Sequence, residues 1–118
     1  MDERAKAYSA IIEHLTHVQQ RPHMYCGELT ENAIWAYLAG FNAACGIMGL
    51  GKLWTSPEGD YWAVCAERGW DENALGPQKH MRDAGWDDNA IINELLTIET
   101  ETWRRISGGA SLSDGERD

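Results

Sequence analysis

The chain has 118 residues, a formal charge of −9 and 43% apolar residues, among them six tryptophans. That is enough for one core in one domain, and the acidity excludes a binder of the nucleic-acid backbone, which needs clustered Lys and Arg. Three unpaired-looking cysteines (Cys26, Cys45, Cys65), no apolar run of ~20 residues and no signal-like start imply a soluble cytoplasmic protein without a membrane partner.

Residues 2–20 read as a helix, because Tyr8, Ile11, Ile12, Leu15 and Val18 recur at three- and four-residue spacing. Arg21-Pro22 ends it, since the residue before proline is pushed out of the helical region. "RPHMYCGELT" is then a loop, with Thr30 placed to cap the next helix. That second helix, 31–48, is apolar nearly all round. Ile34, Leu38, Phe41, Cys45 and Met48 form one side, and Ala36, Gly40, Ala43 and Ile47 the other. Such a helix is expected to be buried, with the others laid around it. Ser56-Pro57-Glu58 restarts a third helix, which runs to about Arg68. A short fourth spans 77–84, and a fifth, from about Asp88 to Ile106, carries Ile91, Ile92, Leu95, Leu96, Ile98 and Trp103 inward. On the same wheel Glu94 and Arg104 face outward. The fold expected is all-α: a compact single domain of about five helices (1–106) around a buried second helix, with a polar, disordered tail at 107–118.

"GWDENA" at 69–74 and "GWDDNA" at 85–90 are the same sentence written twice. Each glycine follows a helical segment, where a left-handed residue is wanted, and each tryptophan can fold back on the last turn. Asp71 and Asp87 would then act as N-caps for the segments after them. Sixteen residues is also shorter than the period of repeat architectures. The repeat is punctuation.

Few residues look chemical. His14, His17, His23 and Cys26 have donor types that zinc accepts, but their spacing matches no zinc pattern and reads as ordinary histidines. Cys26 beside His23 lacks the oriented base a nucleophile needs. The chain therefore reads away from an enzyme, with no cofactor or metal implied. Glu99 falls inside the apolar face of the last helix and needs a partner, for which Asn42, Asn32 and Arg21 are candidates. The 21–30 segment gathers Arg21, His23 and Tyr25 ahead of a helix start. With Thr30, Asn42 and Glu99 these form the candidate ligand-binding set, suited to a nucleotide-like anion.

At this segment "VQQRPHMYCG" resembles the Arg-Pro-x-Met-Tyr-x-Gly stretch of the DNA gyrase B subunit and related type II topoisomerase ATPase domains. The Asp-x-Gly and Gly-rich lid motifs of those domains are missing, so ATPase activity is not implied. A broader likeness is to small uncharacterised bacterial and phage proteins. It rests on the same loop, on Leu38, Gly40, Phe41 and Ala44, and on Gly85, Trp86, Asp88 and Ala90. This likeness implies one compact domain and no particular activity.

The function expected is a non-enzymatic, acidic interaction protein, a binder or inhibitor of a larger macromolecule of the immunity or phage anti-defence type. Asp71, Glu72, Asp87 and Asp88 would steer a protein partner with a basic surface. A homo-oligomer is also allowed. The alternative is a small-molecule binder using the Arg21–Tyr25 loop and the start of the second helix.

Overall fold

A computed structural model describes residues 3–51, 54, 59–72 and 75–111, with side chains to 108. Among these the secondary structure is entirely helical: α1 (Glu3–Gln20), α2 (Pro22–Cys26), α3 (Glu31–Ile47), α4 (Asp60–Glu67), α5 (Pro77–Asp83) and α6 (Asp88–Ser111). The all-α compact domain is as the sequence implies.

The centre is α6. It packs against α1, α3, α4 and α5, and buries Ile91, Ile92, Leu95, Leu96, Ile98 and Trp103. Against them lie Tyr8, Ile11, Leu15 and Val18 of α1, Ile34, Leu38 and Cys45 of α3, Tyr61, Val64 and Cys65 of α4, and Met81 of α5.

This corrects the expectation of a buried second helix. That helix, α3, lies at the periphery: Ala36, Gly40 and Ala43 are exposed, and Ile47 is 87% exposed. The reason is a matter of magnitude. A buried Leu, Ile or Phe side chain contributes about 1.5–3 kcal/mol, whereas a methyl-sized group contributes roughly 0.8. Alanine and glycine are apolar on a wheel yet exert little pull inward, so the helix with the larger side chains takes the centre.

Local signals set most boundaries. Thr30 caps α3, its Oγ1 accepting from the Ala33 N–H at 3.1 Å. Asp87 caps α6 through the Ala90 N–H at 2.9 Å. Gly69 and Gly85 adopt φ of 93° and 87°. The Trp70 N–H then reaches the Cys65 carbonyl (2.8 Å) and the Trp86 N–H the Met81 carbonyl (3.0 Å). Both stop signs thus close their helices in the Schellman manner. The two tryptophans also meet each other, edge to face, with ring centroids 5.2 Å apart.

Three details differ from the sequence reading. The 22–26 stretch is a helical turn, with Pro22 at its first position, where a missing N–H costs nothing. The short helix behind Gly76 starts at Pro77, as expected; the segment that Asp71 was expected to cap includes residues 73–74, which lie outside the described residues. The last helix continues past Ile106 to Ser111; residues 112–118 of the expected tail, like the Ser56-Pro57-Glu58 restart, lie outside the described residues. Glu94, expected outward, is buried. Arg68 binds it through two bonds, at 2.6 and 2.7 Å, and the Trp70 indole N–H adds a third.

Candidate functional site

The Arg-Pro stretch folds into a ridge. None of the α2 side chains is fully buried; Met24 is 63% and Tyr25 39% exposed. Gly27, at φ 78°, closes the turn by donating its N–H to the His23 carbonyl. The ridge stands on an aromatic footing. His14 Nε2 lies 2.6 Å from the Tyr37 hydroxyl, its ring stacks on Phe41 at 5.6 Å, and Tyr25 meets its edge at 5.3 Å. Beside the ridge is a cleft of about 330 Å³ lined by His17, Gln20, Arg21, Met24 and Tyr25. No carboxylate lines it, although the chain carries 19 acids. The Arg21 side chain is exposed and enters none of the ion pairs among the described residues.

Of the expected ligand-binding set, Arg21 and Tyr25 share this cleft. His23 is exposed outside its lining. Thr30 is spent on capping α3. The start of α3 is also occupied, because Asp88 Oδ1 accepts the Glu31 N–H at 3.2 Å and Arg82 sits 3.5 Å from the Glu31 carboxylate. An anion arriving there would meet two carboxylates, so the helix start drops out of the anion-site expectation.

Asn42 and Glu99 form a separate, interior group. Glu99 is 0% exposed. It accepts from Asn42 Nδ2 at 2.7 Å and from Trp54 Nε1 at 3.3 Å; Arg21 and Asn32 are exposed and do not reach it. The Asn42 amide is oriented by its second bond, to the Leu38 carbonyl at 2.9 Å, an acceptor that only Nδ2 can serve. Burial pushes the Glu99 carboxyl up to about 7, against the pull of the Asn42 and Trp54 donors. The Trp103 indole favours the charged form too, although its N–H misses hydrogen-bonding geometry. Asn42 Oδ1 and the Tyr61 hydroxyl are likewise buried without partners among the described residues. No cation pairs with Glu99 among the described residues.

The expected partner-binding acids have mixed employment. Asp87 and Asp88 cap α6 and α3 respectively. The Asp71 carbonyl lies 2.8 Å from His80 Nε2, and Glu72 is exposed. Among the described residues no three His, Cys, Asp or Glu side chains are grouped as metal ligands. Burial raises the Cys26 thiol, which opposes thiolate formation.

No family model, curated protein or solved structure matches the chain. No helix of the described residues is long and apolar enough to cross a membrane.

Two residues of the cleft were missed as such: Gln20 was not singled out in the sequence, and His17 was weighed only as a zinc donor. Their signal was spacing: 17, 20, 21 and 24 recur at helical intervals, and α2 carries that stripe past the proline. Trp54, which reaches Glu99 from the α3–α4 connection, left no comparable trace.

Proposed function

We propose that this chain is a non-enzymatic docking protein that binds a partner protein through the α2 ridge. One observation carries the reading: a helix that fully buries none of its side chains, yet holds Met24 and Tyr25 in the open on a fixed aromatic base. Exposed apolar groups cost solvation free energy, and Met, Tyr and Arg are the residue types enriched at interfaces. The partner is basic over its surface, drawn by the −9 charge, and presents an apolar side chain to Met24 and Tyr25. Asp71 and Glu72 contribute to that attraction at a distance.

Photo-crosslinking from position 24 in cells, with position 36 as control, identifies the partner, whose affinity is then measured with purified protein. Met24→Ala and Tyr25→Ala are expected to weaken binding by ~30-fold each, the scale of an interface hot spot. Asp71→Asn with Glu72→Gln should slow association only, and chiefly at low salt. An affinity indifferent to Met24 and Tyr25 rejects the reading. The acid-free cleft with its free Arg21 favours a second reading, a nucleotide-like small anion. A thermal shift with nucleotides that disappears in Arg21→Ala would select it.

A further inference from the structure

The α2 ridge carries local charge of the sign opposite to the molecule's. Between Glu13 and Glu28 the sequence has no acid, and His14, His17, Arg21 and His23 fall inside that stretch. Neither Glu13 nor Glu28 reaches the lining of the cleft beside α2. Arg21 is the fixed cation there. Its side chain makes no capping bond to α2 and enters none of the ion pairs among the described residues. It stands three residues before Met24 and four before Tyr25, and all three line the one cleft. A guanidinium and two exposed apolar side chains thus open on the same space.

Size and exposure narrow what fills that space. At about 330 Å³ the cleft is at the small end of ligand sites. All five lining residues are exposed, so a free small molecule would stay largely uncovered, whereas small-molecule sites enclose most of their ligand. A protein segment brings its own cover, because the surrounding interface excludes water from the contact.

Charge narrows it further. One guanidinium matches one carboxylate through two parallel N–H donors. A phosphorylated side chain, at roughly −1.5 to −2, would keep uncompensated charge within the field of a −9 molecule. A wholly basic segment would set like charges against Arg21, a mismatch that interfaces use to reject partners.

We propose, resting on the docking reading of the ridge, that the partner's contact segment carries an Asp or Glu beside its apolar anchor. The carboxylate pairs with Arg21 in the cleft while the anchor covers Met24 and Tyr25. Approach and contact then select opposite charges. Beyond a screening length of about 8 Å the partner meets the summed acidity, and at contact it meets a local cation.

A random peptide library displayed on phage, panned on the immobilised full chain and counter-selected on Met24→Ala, isolates segments that bind the ridge. Their consensus is expected to hold an Asp or Glu close to an apolar or aromatic residue. Isothermal titration of a synthetic binder and of its Asp→Asn or Glu→Gln form reads the pair directly. Arg21→Ala should weaken the acidic peptide by about tenfold, the scale of a charge-assisted bond, and leave the amide form nearly unchanged. Arg21 is exposed, so the variant keeps its fold. Ridge binders that lack an acid, or whose affinity ignores Arg21→Ala, overturn the proposal and leave the docking reading standing. A library without any binder sensitive to Met24→Ala overturns both.

Discussion

Glu99 holds the most consequential charge in the molecule. An ordinary carboxyl titrates near 4.5, while burial brings this one to about 7. Below about pH 4.5 the folded and unfolded chains both hold the proton, and Glu99 carries no penalty. Between 4.5 and 7 the folded chain keeps a proton that the unfolded chain has released, so stability falls as pH rises. Above 7 the loss is complete, on the order of 3 kcal/mol. Glu99→Gln should therefore melt several degrees higher than the parent at pH 8 and level with it at pH 4. A difference in melting temperature that ignores pH would contradict the assignment. Glu99→Leu should be worse than Gln at either pH, because it strands the Asn42 and Trp54 donors. The need for a partner at position 99 was legible from the helix wheel, and Asn42 was one of three candidates for it, beside Asn32 and Arg21. Trp54 was not, because it arrives from a connection that has no periodicity to place it.

At the scale of elements, the two Gly-Trp stop signs can be tested through backbone strain alone. A Cβ added at Gly69 or Gly85 would meet nothing within 4 Å, yet both residues have positive φ. Alanine at either site should cost about 1–2 kcal/mol, read from a lower denaturant midpoint at unchanged slope. An effect below a few tenths would mean that the left-handed turn is not needed. These ends were readable because glycine and tryptophan announce a conformation locally. Contacts between elements were only partly so. Arg21 and Tyr25 lie four residues apart in one segment, whereas Arg68 meets Glu94 and Arg105 meets Glu67 solely because α4 packs on α6.

Across the whole molecule, which helix is central decides where substitutions hurt. Leu95→Ala on α6 should cost roughly 2–5 kcal/mol by leaving a cavity, while Ile47→Ala, on the open side of α3, should stay within about 0.5. Equal losses in equilibrium unfolding would restore α3 to the centre. The sequence distinguished most apolar from polar positions, with Glu94 and Met48 as exceptions, but could not rank the faces. Periodicity records which side of a helix avoids water, not how much volume it brings to the core, and alanine counts on a wheel as fully as leucine.

The edge-to-face meeting of Trp70 and Trp86 has a kinetic corollary. Each ring sits at the very end of its own helix, so fraying of α4 uncovers the support on which the end of α5 rests, and the reverse. Amide protons at Trp70 and Trp86 should then exchange with deuterium as one cooperative unit rather than as two independent termini, and Trp86→Ala should speed exchange at Trp70, sixteen residues away.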